Sequence, residues 1–311
     1  MGNTVPAVAV ADEAEIYHQE IRAKLPPEHR DFRLKMALML TCQTTPQTVI
    51  DAAQHGFGII KYIPYGVSTN SKESVPLAEL PKYYPVLDAI QTNGMVFSGH
   101  WESLYDNCGR ELEERDREEA AIPYLDLAVK TFPKLRIMVE HASSKKMINY
   151  VRQAPLNVRA TLTVHHALLT FADVCWEPGV VRNPHNYCMP IAKSQEDRDE
   201  VVKATVSEDE HFGFGSDLAG HPFADKLKHP PKPGVFCPGN ISAPLMLEIF
   251  LANNALAKIG KFRTRLGTQV YDLPQDTGML ELVKEDWLIP EQYCNTVPFM
   301  AGQTLRWKAV E

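Results

Sequence analysis

The sequence predicts an α/β fold in which a (β/α)8 TIM-type barrel forms one domain over residues 1–311. Short apolar runs alternate with helical patterns from residue 32 onward, which is typical of parallel strands joined by crossover helices. Several of these runs end in a residue suited to chemistry, and barrel enzymes carry such residues at the C-terminal ends of their strands. With 311 residues, of which 44% are hydrophobic, the chain is long enough to bury one barrel core.

The strands and helices follow one another at a regular spacing. The first helix is predicted from Ala11 to Leu25, before two prolines that end it. Later helices are predicted at residues 46–55, 81–92, 117–132, 144–153, 195–207 and 243–258. Strands are predicted at residues 32–41, 56–64, 95–100, 135–141, 157–164 and 211–217. These are six strands, whereas the barrel needs eight.

Two polar stretches lie between these elements. The charged run from Arg110 to Glu119 is interpreted as a solvated helix face or loop rather than a recognition site. Residues 226–233, with three prolines and three lysines, are interpreted as a loop over the mouth of the barrel.

The bulk composition favours a small-molecule substrate. The formal net charge of −7 argues against a nucleic-acid or acidic-membrane partner, since both require a basic patch. The six cysteines include no Cys-x-x-Cys pair, which fits a reducing compartment. No continuous apolar stretch reaches the ~18 residues of a membrane span, and no secretory signal begins the chain. We therefore expect a soluble, cytoplasmic protein.

Four predicted strands end in residues that can bind metal or move protons. The run of Phe and Gly from Phe212 onward leads to Asp217, and the other three strands lead to Lys61, His100 and His141. Each residue alone is more often a cap or a satisfied polar group. Together they are of the kind that holds zinc and similar ions, because imidazoles and carboxylates from different strands converge at one end of a barrel.

The lysine in this set needs a separate explanation. As an ammonium, Lys61 has no lone pair and would repel a metal ion. It is therefore either a salt-bridge partner or a neutral amine whose proton is lost through burial. A neutral lysine can react with carbon dioxide to form a carbamate, whose two oxygens can bridge a pair of metal ions.

A series of motifs, in one order from residue 1 to about 308, resembles the dihydroorotases. The resemblance is to the monofunctional bacterial and fungal type within the amidohydrolase superfamily. The motifs are Asn3-Thr4-Val5-Pro6, Lys61 with Pro64 and Ser68-Thr69-Asn70-Ser71, Gly94-Met95 leading to His100, Glu140-His141, Ala160-Thr161-Leu162-Thr163 with His165-His166, Tyr187-Cys188-Met189-Pro190, Gly215-Ser216-Asp217-Leu218-Ala219-Gly220-His221, and Val297-Pro298-Phe299-Met300-Ala301-Gly302 with Leu305-Arg306-Trp307.

This resemblance implies a barrel of the metal-dependent hydrolase kind and a cyclic amidohydrolase reaction. The enzyme would interconvert N-carbamoyl-L-aspartate and dihydroorotate in pyrimidine biosynthesis. It implies that Lys61 is carbamylated and bridges two zinc ions, and that His100 and His141 bind the second of them. Asp217 would be both a metal ligand and the catalytic proton shuttle. The resemblance also allows a homodimer.

The resemblance also assigns residues to the substrate. It implies that Asn3 and His221 bind the substrate carboxylate, and that Ser68 and Thr69 lie in a mobile loop that closes over it. Backbone groups at two further positions, Met189 and Pro238, would contact the pyrimidine ring.

The chain departs from the family pattern at three places. Trp101 stands where the family has glycine, and its indole could crowd the metal pocket or repack it. Gly2 replaces a proline of the family. The family's His-x-His-x-Arg motif, which supplies two metal ligands, is absent, and the adjacent His165 and His166 match a different family position. We therefore expect the first strand and most of the second to be missing, and one zinc or none instead of two.

Two other functions remain open at this point. A non-catalytic relative that keeps the fold and binds a partner is favoured by Trp101, Gly2 and the absent motif. An amidohydrolase with another substrate is less favoured, since Asn3 and His221 both suit a carboxylated ligand.

Overall fold

A computed structural model describes residues 2–275 and 278–310 of the chain. In these ranges the α-helices are α1 (Ala11–Lys24), α2 (Pro46–Gln54), α3 (Tyr84–Thr92), α4 (Arg117–Thr131), α5 (Lys145–Gln153), α6 (Val164–Leu168), α7 (Phe171–Val174), α8 (Gln195–Thr205), α9 (Phe223–Lys226), α10 (Gly239–Ala252) and α11 (Ile259–Gln269). The strands are β1 (Leu38–Met39), β2 (Ile59–Tyr62), β3 (Val96–Gly99), β4 (Arg136–Val139), β5 (Val158–Leu162), β6 (Cys175–Glu177), β7 (Val180–Val181), β8 (Phe212–Phe214), β9 (Leu282–Val283), β10 (Trp287–Leu288), β11 (Thr304–Leu305) and β12 (Lys308–Ala309). Short 3-10 helices span Pro27–His29, Leu77–Tyr83 and Leu256–Lys258.

The main sheet contains a strand within each of the six predicted ranges and confirms the predicted fold class, although the first strand covers only Leu38–Met39 of the predicted residues 32–41. Its order is β1-β2-β3-β4-β5-β8, and every neighbouring pair is parallel. Helices follow β1, β2, β3, β4 and β5 along the chain, as crossover connections of a β/α barrel require. Because all six strands run in the same direction, their C-terminal ends meet at one side of the molecule.

Alternation along the strands separates two layers of side chains. Ile60 pairs with Phe97, and both belong to the large core between the strands and the helices. Lys61 pairs with Ser98 one position later, so these two residues project to the opposite face, inside the barrel. The polar residues of the predicted site therefore lie on the interior face of the sheet.

The interior is filled below these polar residues by α11, which the sequence did not predict. Leu266 and Val270, at the end of this helix, pack with Ile59, Val96 and Met138 in a second apolar cluster. A helix from the C-terminal third of the chain thus covers the interior side chains of β2, β3 and β4.

The alternation of Phe and Gly in β8 has a steric cause. A Cβ atom at Gly213 would lie 2.5 Å from Leu266 Cγ, and one at Gly215 would lie 2.5 Å from Thr161 Cβ. Glycine is required at both positions because α11 and β5 approach the β8 backbone so closely. Phe212, on the other face, is fully buried in the large core.

The first residues of the chain lie along the edge of β1. The Met39 amide donates to Val8 O, and the Val8 amide donates to Gly2 O. A Cβ at Gly2 would lie 2.6 Å from Met39 N, so the replacement of the family's proline by glycine suits this close approach.

Three further sequence expectations meet the structure here. Residues 110–116 form a loop before α4, as the charge pattern suggested, but Glu118 is buried and pairs with Lys193 at 3.1 Å. All six cysteines are free. Among the described residues, no helix is both long and apolar enough to cross a membrane.

Candidate metal centre

The structure gathers the four predicted metal ligands at the C-terminal ends of β2, β3, β4 and β8. Lys61 lies within β2, His100 and His141 follow β3 and β4, and Asp217 follows β8. His141 and Asp217 have positive φ angles, of 44° and 42°. Left-handed backbone is unfavourable for residues other than glycine and is often found at functional sites, so the fold holds both side chains at some cost.

The two histidines approach each other directly. His100 Nδ1 and His141 Nε2 are 3.1 Å apart, and both rings are buried. Two ligand atoms of one tetrahedral zinc ion, each bonded at ~2.0–2.1 Å, lie about 3.3 Å apart. Burial lowers the pKa of His141 well below its usual value, and the neighbouring His100 lowers it further. The pair therefore fits a zinc ion, because neutral imidazoles with adjacent nitrogens are the form that binds it.

Glu102 orients the first of these histidines, a role that the sequence analysis missed. Its Oε2 lies 2.6 Å from His100 Nε2, and the side chain is fully buried. Because a carboxylate can only accept, Nε2 carries the hydrogen and Nδ1 keeps its lone pair for a metal. The His-x-Glu spacing after a strand was the available signal.

A second carboxylate, Glu140, stands inside the barrel near Lys61. It accepts hydrogen bonds from Ser98 Oγ at 2.6 Å and from Thr161 Oγ1 at 2.8 Å. The same Thr161 oxygen accepts the backbone N–H of His141 at 2.6 Å, which fixes the start of the ligand-bearing turn. In the sequence, Glu140 was visible only as part of the Glu140-His141 motif.

Lys61 is buried, and its electrostatic surroundings are mixed. Burial lowers its pKa, while the charges of Glu140 and Asp217 act in the opposite direction. Burial is the largest effect, so the neutral amine is more accessible here than in water. A neutral amine is the form that reacts with carbon dioxide, which supports the second of the two explanations offered for this lysine.

The pKa of Asp217 is raised toward neutral pH. Burial raises its pKa to about 6, against the opposing effects of His100 and Lys61. Its Oδ2 lies 3.9 Å from His165 Nε2, and only 14% of its side chain is exposed.

The structure also brings together a group that the sequence analysis did not assign, formed by His165, His166 and Cys188. Their ligand atoms lie within 4.8 Å of one another, and all three residues are buried. His166 Nε2 donates to Pro190 O at 2.8 Å, while neither ring nitrogen of His165 has a hydrogen-bond partner among the described residues. The two adjacent histidines thus differ in what remains free to bind.

Three of the predicted substrate residues lie together at one edge of this end of the barrel. Asn3 Nδ2 donates to Thr69 O at 3.3 Å, and Asn70 Nδ2 donates back to Asn3 O at 2.9 Å. Thr69 Oγ1 is buried without a partner in the described part of the chain. Ser68 lies in the same turn, where its carbonyl accepts Ser71 Oγ at 2.7 Å. The terminal Asn3 is therefore tied to the predicted loop.

The remaining predicted substrate residues, Met189, His221 and Pro238, lie in the segment before α8 and in the segment between β8 and α10. His221 Nε2 lies 3.0 Å from Pro233 O, and burial lowers the pKa of its imidazole. Met189 is buried, and Pro238 directly precedes α10.

A buried lysine that sequence reasoning missed ties these two loops together. Lys226 Nζ donates to the carbonyls of Tyr187, Lys232 and Gly234 at 2.8–2.9 Å. It joins the segment that leads to Met189 to the segment that leads to Pro238, inside the stretch interpreted as a loop over the barrel mouth.

Trp101 does not enter the metal pocket. Its indole packs edge-on against Tyr62 and Phe97, with ring centroids 6.0 and 5.9 Å away. Both partners lie on the helix-facing side of the sheet, opposite Lys61 and Ser98. Neither crowding nor repacking of the metal pocket, the two outcomes expected for this residue, is seen, because Gly99 leaves room for the indole on the outer layer.

Comparison with known proteins adds the family. No protein-family model matches the chain. The dihydroorotase of Coxiella burnetii is 34% identical over 319 residues, covering 99% of this chain and 87% of that protein. The probable dihydroorotase of Schizosaccharomyces pombe is 32% identical, with the same coverage of 99% and 87%. The solved structure of Saccharomyces cerevisiae dihydroorotase, in complex with 5-fluoroorotic acid, superposes with a TM-score of 0.88 at 29% identity over 100% of this chain and 88% of that one.

The barrel is shared with more distant enzymes as well. L-hydantoinase from Arthrobacter aurescens superposes with a TM-score of 0.78, although only 17% of residues are identical, which shows the fold alone. The similarity to dihydroorotases is much stronger, because more than 30% of residues are identical and the alignment covers nearly the whole chain. This chain is a member of the dihydroorotase family.

Proposed function

We propose that this chain is a zinc-dependent dihydroorotase, a cyclic amidohydrolase that interconverts dihydroorotate and N-carbamoyl-L-aspartate. The observation that carries the proposal is the approach of two buried imidazoles, His100 Nδ1 and His141 Nε2, at 3.1 Å. Asp217 stands beside them with a pKa of about 6, and Lys61 is buried among the same groups. Family membership indicates the substrate, and these four side chains supply the chemistry.

In this proposal Lys61, His100, His141 and Asp217 hold the metal. The lone pair of the neutral Lys61 amine adds to the carbon of carbon dioxide, an N–C bond forms, and a proton is released to solvent. The product is a carbamate anion with two oxygens, which suits a divalent cation where the original ammonium did not. When bound, zinc supplies a water that is acidic near neutral pH and polarises the amide carbonyl.

Asp217 moves the proton in the proposed reaction. Its carboxylate takes a proton from the attacking water and delivers it to the ring nitrogen as the C–N bond of the cyclic amide breaks. A pKa near 6 suits both steps, because a group that accepts and then donates a proton works best close to the operating pH.

The substrate would be oriented by the residues around the mouth. We assign Asn3 and His221 to the substrate carboxylate. Burial lowers the pKa of His221 and so favours its neutral form, whereas an approaching carboxylate would favour its protonated form. Ser68 and Thr69 would contribute hydroxyls from the loop that Asn3 contacts. The backbone groups of Met189 and Pro238 would contact the ring.

The test is hydrolysis of dihydroorotate by the purified chain supplied with zinc and bicarbonate. Asp217→Asn should lower turnover by ~10²–10⁴-fold, since it removes the proton acceptor. Asp88→Asn changes an exposed carboxylate on α3 and serves as the matched control, with turnover unchanged. Equal rates for the wild type and Asp217→Asn would contradict the assignment. If the wild-type chain binds zinc but gives no turnover, the assignment as an enzyme is wrong and the chain is the non-catalytic relative.

A further inference from the structure

We propose that His165 is an additional ligand of the metal centre, binding the ion on the side of Asp217. The inference rests on the proposed function, because it adds a ligand to the centre formed by His100, His141 and Asp217. It concerns a residue that the sequence analysis set aside together with His166.

The His165 ring has no hydrogen-bond partner in the described part of the chain. The residue lies in α6 directly after β5 and is fully buried. Both of its ring nitrogens lack a hydrogen-bond partner among the described residues. A buried polar atom left unpaired destabilises the fold, so native proteins rarely keep two on one ring. The arrangement therefore indicates that something else binds this imidazole.

The ring of His165 lies close to Asp217. Its Nε2 is 3.9 Å from Asp217 Oδ2, beyond hydrogen-bond distance but close to the spacing of two ligands on one ion. A nitrogen and an oxygen bound to the same tetrahedral zinc are roughly 3.4 Å apart, so a shift of about half an ångström completes the geometry.

The neighbours of His165 do not compete for the ion. His166 donates from Nε2 to Pro190 O and has Thr163 Oγ1 at 2.8 Å from Nδ1, so both of its nitrogens are engaged. The Cys188 thiol donates to the same carbonyl at 3.3 Å, and burial raises its pKa to about 12. A thiol in that state is a poor ligand, because metals bind the thiolate. Of the three, only His165 is available, and it lies beside Asp217.

The experiment measures binding of Co²⁺ to the full chain by titration and by visible absorption, which reports coordination without requiring turnover. His165→Gln should weaken Co²⁺ binding by at least ~10-fold and change the visible spectrum. His166→Gln is the matched control, an adjacent buried histidine with engaged nitrogens, and Cys188→Ser tests the thiol. Both should bind Co²⁺ as the wild type does.

A second variant distinguishes the loss of a metal ligand from misfolding. His165→Ala leaves a space in which added imidazole can bind, and imidazole should restore the cobalt affinity and spectrum. Unchanged affinity and spectrum in His165→Gln would overturn the inference, as would loss of binding in Cys188→Ser together with a thiolate-to-cobalt absorption band in the wild type.

One further variant separates this inference from the proposed function. If His100→Gln weakens binding and His165→Gln does not, only the role of His165 fails. If neither changes the affinity, or the wild type binds no Co²⁺, the metal centre and the proposed function fail together.

Discussion

Replacing Trp101 by alanine should destabilise the fold without opening the metal site. The indole is 1% exposed and packs between Tyr62 and Phe97. Truncating a buried tryptophan costs ~3–5 kcal/mol. Its Nε1 has no hydrogen-bond partner among the described residues, so removal also relieves an unpaired donor worth about 1–3 kcal/mol. The free energy of unfolding should therefore fall by about 2 kcal/mol.

Chemical unfolding in urea, followed by intrinsic fluorescence or circular dichroism, measures this change. For a chain of 311 residues it corresponds to a decrease in Tm of roughly 4 °C. Trp176→Ala is the matched control, because this indole is 68% exposed and makes a cation–π contact with Arg182. Its loss should cost less than ~1 kcal/mol.

The same variant tests the placement of the indole. Trp101 lies on the helix-facing side of the sheet, so zinc affinity should be unchanged in Trp101→Ala, and the family's glycine at this position should give no gain in turnover. Full stability together with tighter zinc binding or faster turnover would refute the packing argument, since that result requires an indole inside the pocket.

Two other predictions concern the metal centre. Glu102→Gln should weaken zinc binding by ~10–100-fold while the fold persists, because the neutral amide oxygen can accept the hydrogen bond from His100 but lacks the negative charge that strengthens the imidazole as a ligand. Chelator competition measures the affinity, and an unchanged value would remove Glu102 from the centre. Zinc affinity should also fall about tenfold per pH unit below pH 6, since Asp217 must lose its proton to bind metal and its raised pKa places that step near 6. The same shift affects the metal-free chain: because the pKa of Asp217 is raised in the folded state, its contribution to stability is fully present below its ordinary pKa of 3.8 and is lost as pH rises from 3.8 through about 6. Asp217→Asn should remove this part of the pH dependence, and an affinity independent of pH between 5 and 7 in the wild type would contradict it.

The fold class, and the position of each candidate metal ligand at a strand end, could be predicted from the sequence because both depend on local pattern. The strand that ends at Lys61 and the strand that precedes His100 are short apolar runs between helical segments, and the structure places them as neighbouring parallel strands. Once strands are parallel, their polar ends meet whatever the details of packing. The resemblance to a family then added the roles of Asn3 and the loop of Ser68 and Thr69.

The tertiary structure decided the features that depend on contacts between distant segments. Helix α11 fills the interior beneath the site, and no local pattern indicated that its Leu266 would meet Gly213. The direction of the Trp101 indole depends on the pleat of β3 and on the space left by Gly99, which a sequence cannot reveal.

The two adjacent histidines show the same limit most clearly. His165 and His166 are one residue type in consecutive positions of one short helix, so their sequence offers no basis for distinguishing them. In the folded chain, His166 meets the carbonyl of Pro190, 24 residues away, and its nitrogens are satisfied. His165 turns instead toward Asp217, 52 residues away in the chain, and neither of its nitrogens has a hydrogen-bond partner within the described ranges. The sequence alone determined that imidazoles are present at the end of β5, and only the packing of distant loops decided which of them can bind a ligand.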